Sequence, residues 1–313
     1  MRKKLSDHVL LGAKGAAMGA ADAIPGVSGG TIAFITGIYD ELLFAINSFD
    51  LEALKLLTSF RFAEFWKKIN GSFLVTLVSG LALGVIFNLM LIDYLLRHHP
   101  IPVWSFFFGL ILVSAPLILR EIRVWNWSII ATLLLGAVIA YVITIMTPAS
   151  TPNELWFIFL CGAIAICAMI LPGISGAFIL LLLGKYQYIA GALKELNVVV
   201  VLVFIAGCVT GLLSFSRFLS WILKNFHNAT VALLAGFMLG SLNKLWPWRQ
   251  VLEYTTNSKG EQVAAFDKSI WPWNYVDITG KDPQIFQAIL MMAVGVFIVV
   301  IIEKIAARHK TKI

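Results

Sequence analysis

The sequence predicts an all-α polytopic membrane protein made of two inverted repeats, each a re-entrant broken-helix hairpin followed by three transmembrane helices. Three observations carry this prediction: an apolar composition, a Pro-Gly motif that returns 147 residues later, and the placement of the basic residues. Of 313 residues, 59% are hydrophobic and 13% charged, with a mean hydropathy of +0.88, well beyond a soluble domain. The formal charge of +7 sits in loops and tails between apolar segments. It forms no basic patch interleaved with exposed aromatics, so nucleic acid is excluded as a partner and the lipid bilayer is expected.

In chain order, the first element is an apolar run over 8–46 interrupted by "DAIPGVSGG". Its limbs of about 16 residues are each about 25 Å long, marginal for a hydrocarbon core about 30 Å thick. A re-entrant hairpin is the natural reading. A polar, amphipathic insert follows around 47–72, then spans at 73–95, 103–119 and 127–146. The second interrupted element covers 155–192, and further spans follow at 198–223, 229–246 and 285–303. The basic start and small residues before Ala23 resemble a leader, but Lys14 breaks the apolar run, and cleavage there cuts into one of two matching elements. The segment is therefore expected to stay.

The repeat rests on identities. Pro25, Gly26, Ser28, Gly29, Ile32, Gly37 and Tyr39 match Pro172, Gly173, Ser175, Gly176, Ile179, Gly184 and Tyr186, seven of fifteen positions. A shift of 127 also places Gly80, Gly84 and Gly109 on Gly207, Gly211 and Gly236, the insert explaining the smaller offset. Two repeats, 1–150 and 151–313, follow.

Charge orients them. With a cytoplasmic N-terminus and hairpins that return to their own side, Lys55, Arg61, Lys67, Lys68, Arg120, Arg123 and Lys224 all fall in cytoplasmic loops, together with both termini. The loop 147–154 has no Lys or Arg and falls outside, as does the long loop 247–284, whose "WPWRQ" and "WPWNY" read as an interfacial aromatic belt. A single full crossing at 8–46 inverts this pattern and is rejected; two short crossings preserve it and stay open. Three spans per repeat is an odd number, so the second repeat enters from the opposite face, a recurring design of secondary transporters.

The motif itself implies chemistry. Pro favours the first turn of a helix, so Pro25 and Pro172 are expected to start the second limbs at mid-membrane. Backbone N–H groups around Gly26, Val27, Ser28, Gly173, Ile174 and Ser175 are then orphaned in a low-dielectric place, which favours a bound anion. Gly29, Gly30 and Gly176 allow close approach, and Ser28, Thr31 and Ser175 add hydroxyl donors. The bland alternative is a pair of Gly/Pro hinges packing small faces together. Asp22 reads as a proton or cation site, or as a hydrogen-bonded structural acid. Arg217 can hold a phosphate bidentately or snorkel to the interface. Lys14 and Lys185 sit on the limbs, where either can snorkel. Cys161, Cys167 and Cys208 lack metal or disulfide spacing, and no metal or cofactor is expected.

"DAIPGVSGGTIAFITGIYDELL" and its echo "LPGISGAFILLLLGKY" resemble the signature of the bacterial polyprenyl-phosphate transporter family, over essentially the whole chain. The resemblance implies a multi-pass protein of the bacterial inner membrane that returns undecaprenyl phosphate from the outer to the inner leaflet, and no enzyme. Its motif matches are Asp22, Pro25, Gly26, Ser28, Gly29, Gly30, Pro172, Gly173, Ser175 and Gly176. Two other classes compete. Membrane phosphatases of polyprenyl pyrophosphate carry Pro-Gly-x-Ser-Arg-Ser, but here Gly29 and Gly176 occupy the Arg place and no two Glu residues stand at i,i+4 spacing. A small-anion channel or transporter suits the same midplane site.

Overall fold

A computed structural model of the chain describes residues 5–22, 28–149, 151–256 and 262–310. The helix α1 (Leu5–Asp22) is followed by α2 (Gly29–Ile35) and α3 (Tyr39–Asn47), a pair bent by 115°. Where the sequence predicts one continuous second limb, the helix stops after seven residues. The stop is a Schellman closure: Ile38 N–H donates to the Ala33 carbonyl and Gly37 N–H to the Phe34 carbonyl, both at 3.0 Å, with Gly37 at φ +70°. At about 1.5 Å per residue, α2 is only about 10 Å long and cannot cross a membrane.

The amphipathic insert folds as α4 (Leu51–Thr58) and α5 (Phe62–Lys68). Asp50 caps α4 by accepting the Ala53 N–H at 2.8 Å, and Lys68 pairs with Asp50 at 3.0 Å and with Glu52. Three long helices follow, α6 (Gly71–His98), α7 (Pro100–Leu119) and α8 (Trp127–Ile145), in register with the predicted spans.

The opening order then returns in α9 (Leu155–Ile170), α10 (Gly176–Leu182) and α11 (Tyr186–Lys194), the last two bent by 105°. The same closure ends α10: Lys185 N–H donates to the Leu180 carbonyl at 2.9 Å and Gly184 N–H to the Leu181 carbonyl at 3.0 Å, with Gly184 at φ +63°. After it come α12 (Val198–Asn225) and α13 (His227–Leu245). The expected loop 247–284 is instead an antiparallel hairpin, β1 (Arg249–Thr256) with β2 (Gln262–Ser269), then α14 (Pro272–Thr279). Among the described residues the chain is thus predominantly helical, as the fold class requires, with one β-hairpin added. Finally, α15 (Ile285–Lys310) takes the last predicted span.

Small residues decide the packing. On α1, a Cβ at Gly15 or Gly19 runs into the backbone of Leu77 and Leu81 on α6, so the two axes approach as only glycine permits. Gly207 and Gly211 on α12 meet the Phe159 and Ala163 carbonyls of α9 in the same manner. Positions climb together in both pairs, so α1 runs parallel to α6 and α9 to α12. The remaining long helices cross over: α8 lies parallel to α13, with Gly136 against Leu233 and Gly240 against Ala137. Asn243 Nδ2 donates to Thr144 Oγ1 at 2.7 Å on the same seam. Likewise α7 lies parallel to α15, with Gly109 against Met292 and Arg120 paired to Glu303 at 3.2 Å.

The centre of the molecule is α7 and α13, where Ile111, Ala115, Val231, Ala235 and Met238 are at most 1% exposed. The peripheral helices α6, α8, α12 and α15 turn Val78, Leu83, Leu134, Val138, Leu202 and Phe297 outward. Apolar surface of that extent around long apolar helices is the signature of a lipid-facing shell, and the chain is a multi-pass membrane protein.

At the foot of α13, Trp246, Trp248, Trp271 and Trp273 pack together, with centroids 4.9 to 6.0 Å apart. Trp246 Nε1 donates to the Ile270 carbonyl at 2.7 Å and Trp248 Nε1 to the Pro283 carbonyl at 2.8 Å. Beyond a belt, these rings are a joint that seats the hairpin on α7 and α13.

Candidate functional site

Pro172 follows Leu171, whose extended backbone (φ −70°, ψ 128°) is what a residue before proline prefers. Gly173 comes next at φ +87°, and Ile174 N–H reaches back to the Leu171 carbonyl at 3.5 Å. Proline second and a left-handed glycine third is the pattern of a type II turn. So Pro172 turns the chain and does not open the helix. The helix α10 begins at Gly176, with Ser175 as N-cap and its Oγ 3.5 Å from the Phe178 N–H. Ser28 does the same for α2, its Oγ accepting the Gly30 N–H at 3.1 Å. Pro25, Gly26 and Val27 lie outside the described residues.

The two breaks interlock. Ser28 Oγ donates to the carbonyls of Met169 and Leu171, both at 3.1 Å, and Tyr39 Oη donates to the Ile170 carbonyl at 3.1 Å. In return Gly173 N–H donates to Thr31 Oγ1 at 2.9 Å. Gly30 lies where a Cβ would strike the Ile170 carbonyl, so the backbones themselves touch. Ser28 and Thr31 are fully buried and Ser175 nearly so. The sequence-predicted Ser28, Gly29, Gly30, Thr31, Gly173, Ile174, Ser175 and Gly176 thus gather in one buried region, contributed by both interrupted elements.

Two of the donors expected to be orphaned have partners here, Gly173 N–H on Thr31 Oγ1 and Ile174 N–H on the Leu171 carbonyl. Asp22 Oδ1 accepts the Gly29 N–H at 2.6 Å, so its carboxyl group sits at the start of α2. That is the hydrogen-bonded role the sequence left open beside ion binding. The position matching Asp22 in the second element is Met169, and α10 starts without a carboxylate.

The other single charges resolve separately. Lys185 does not snorkel: it is 3% exposed and donates to the Thr151 carbonyl at 2.7 Å and Asn153 Oδ1 at 2.8 Å. Burial without partners is costly for an ammonium, and Thr151 and Asn153 supply them. Lys14 Nζ donates to the Thr36 carbonyl at 2.8 Å, at the end of α2. Arg217 stands away from the interlocked breaks, with Nη2 on the Phe49 carbonyl at 3.0 Å. Among the described residues, no three His, Cys, Asp or Glu side chains gather to hold a metal.

One cluster escapes the sequence reading. A narrow cleft lined by Gly173, Ser175, Phe178, Thr144, Ser241 and Lys244 leads from the second break. Through Thr144 it adjoins a wider cleft of about 350 Å³ under the β-hairpin, lined by Arg249, Asp267 and Lys268 among others. Lys244 pairs with Asp267 Oδ1 at 2.9 Å, and Arg249 forks onto both Asp267 oxygens at 2.7 and 2.8 Å. Burial disfavours the Asp267 carboxylate, but these two cations outweigh it and hold the carboxyl below its usual range. The signal in "LNKLWPWRQ" is a lysine inside the last turn of an apolar helix, and its acid partner lies 23 residues further along the chain.

Fold and site define a class: a polytopic helical membrane protein whose two broken helices, each followed by long spans, meet at a buried Ser/Thr/Gly locus. A family model described as "VCA0040-like: Undecaprenyl phosphate translocase-like" matches residues 18–263. A "Polyprenyl-phosphate transporter" of Vibrio cholerae is 45% identical over 308 residues, covering 98% of this chain and 100% of the relative. A protein of the same name from Staphylococcus aureus is 34% identical over 257 residues, 75% of this chain and 84% of the relative. No solved structure matches. The chain belongs to the VCA0040-like, undecaprenyl phosphate translocase-like family.

Proposed function

We propose that this chain carries a polyprenyl phosphate, undecaprenyl phosphate first among them, from the outer to the inner leaflet of the bacterial cytoplasmic membrane, holding the phosphate where the two breaks meet. The observation that carries the reading is the interlock of Ser28 and Thr31 with the 169–173 backbone, in a chain whose relatives are named for polyprenyl phosphate. A phosphate monoester carries about 1.5 to 2 negative charges near neutral pH. Glycine N–H groups and hydroxyls at Ser28, Thr31 and Ser175 are suited to receive it. Those donors are engaged with Asp22, with each other and with backbone carbonyls in this conformation. The phosphate therefore replaces internal acceptors as it enters, while its prenyl chain stays in lipid. Arg217 is the further cation proposed to meet it.

Asp22 supplies a route to ion coupling. A proton or cation reaching its carboxylate weakens the bond to Gly29 N–H and releases that amide to the phosphate. The halves 1–150 and 151–313 are proposed to be inverted repeats with both termini cytoplasmic. The crossed pairing, in which α7 runs parallel to α15 and α8 to α13, supports this, because third and fourth helices exchange partners between halves in matching fashion. No bond is made or broken in this scheme, in keeping with glycine at the phosphatase Arg places.

The test is leaflet exchange of undecaprenyl phosphate in proteoliposomes. Wild type is expected to exchange the lipid without releasing phosphate, Ser28→Ala and Ser175→Ala to lose about tenfold or more of the rate through misplaced buried groups, and Asp22→Asn to bind yet lose its pH and ion dependence. Inorganic-anion flux blocked by the same substitutions, with no lipid exchange, would replace the lipid by a small anion.

A further inference from the structure

We infer that the cleft under the β-hairpin is a head-group loading site, in which Lys244 and Arg249 exchange the Asp267 carboxylate for the phosphate monoester of a prenyl lipid before it passes to Ser175 and Gly173. The inference rests on the transport reading above for what the lipid does next, and on the cluster alone for its binding.

The cluster is built for such an exchange. Arg249 is held rigid, with Nη1 donating to the Asn243 carbonyl at 2.6 Å and to Ser269 Oγ at 3.1 Å while its remaining face grips Asp267. The side chains of Arg249, Lys244 and Asp267 are only 9%, 16% and 19% exposed. Among the described residues, two sheltered cations therefore share a single carboxylate charge. A sheltered ion pair gives little net stability against its desolvation, and an excess cation gives less. A phosphate monoester carries nearly twice the charge of Asp267 and offers the planar Arg fork two oxygens of suitable spacing.

Position supports the assignment as well. Lys244 belongs to the narrow cleft with Ser175 and Gly173, and its partner Asp267 to the wide cleft with Lys268. The Lys244 ammonium also lies 5.0 Å from the Phe178 ring centroid, on the first turn of α10. One cation thus lines the narrow cleft at the second break and, through its bond to Asp267, is joined to the cleft under the hairpin. Tyr141 and Ile145 line the wide cleft on the α8 side, apolar surface along which a prenyl chain can lie.

The experiment measures binding of geranyl phosphate and of inorganic phosphate to the full chain in nanodiscs, together with lipid exchange in proteoliposomes. Wild type is expected to bind geranyl phosphate at least about tenfold more tightly than inorganic phosphate, from the buried prenyl surface. Lys244→Gln should weaken geranyl phosphate about tenfold, Lys244→Arg should largely restore it, and Asp267→Asn, which removes the competing charge, should tighten it. Thermal unfolding of each variant separates lost binding from lost fold. Unchanged affinity in both Lys244→Gln and Asp267→Asn overturns the loading site even where wild type exchanges lipid. Equal affinity for inorganic and geranyl phosphate overturns the lipid assignment and leaves a free-phosphate site. Binding that follows the predicted order without any lipid exchange upholds the site and refutes the transport reading instead.

Discussion

Gly173 is the residue on which the second break turns. Its φ of +87° is a left-handed backbone, and a Cβ there would lie 2.8 Å from both Met238 N and Cα, main-chain atoms of α13 that cannot rotate away. Gly37 shares the left-handed backbone at φ +70°, but a Cβ there meets nothing within 4 Å. Gly37→Ala should therefore cost only the conformational penalty, about 1 to 2 kcal/mol. Gly173→Ala adds a backbone clash to it, for a total of about 3 kcal/mol or more. Melting temperatures in detergent should fall clearly further for Gly173→Ala, and equal shifts would refute the close packing on Met238. At this scale the sequence reading picks out Ser28, Thr31, Gly173 and Ser175 because they repeat. It assigns them to an anion, whereas the hydroxyls of Ser28 and Thr31 are spent on the opposite break and the carboxylate at Gly29 is the chain's own Asp22. A fifteen-residue echo shows which residues matter and is silent on which of them face each other.

Among the elements, the β-hairpin is held by charge as well as by its tryptophan joint. Asp267 holds Lys244 at the end of α13 and Arg249 at the start of β1, and its carboxyl lies below the ordinary value because these cations outweigh the effect of burial. A depressed carboxyl adds stability that is fully present above the unfolded value of about 3.9 and is lost as pH falls through the lower folded value. Backbone amides of 249–256 should then exchange hydrogen slowly at pH 6 and lose protection only below about pH 4. In Asp267→Asn, protection should be weaker at pH 6 and no longer depend on pH in the acid range. A hairpin that opens at the same acid pH in that variant would remove Asp267 as its fastener. The long spans are legible in sequence to within a few residues, since some twenty apolar residues in a row leave little choice. The hairpin is not, because its alternation is broken by register shifts around Glu253, and the bends after α2 and α10 hide in single glycines inside apolar runs.

For the molecule as a whole, the crossed pairing sets which loops share a face. With 28 residues, α6 is about 42 Å long and already exceeds the hydrocarbon core, so α7, apolar for 20 residues after a single linking residue, has to return across it. Because α15 runs parallel to α7, its beginning lies at the face where α7 begins, opposite the face where α6 begins. The insert carrying Lys55 precedes α6, and Lys281 precedes α15. Basic residues crowd the insert, so the positive-inside rule leads us to expect the insert in the cytoplasm and Lys281 outside. In a protein with Cys161, Cys167 and Cys208 replaced by Ala, a membrane-impermeant maleimide should label Lys281→Cys on intact cells and Lys55→Cys only after permeabilisation. Labelling of both from one side would contradict the parallel pairing of α7 with α15 in a membrane, and with it the inverted arrangement proposed for the two halves.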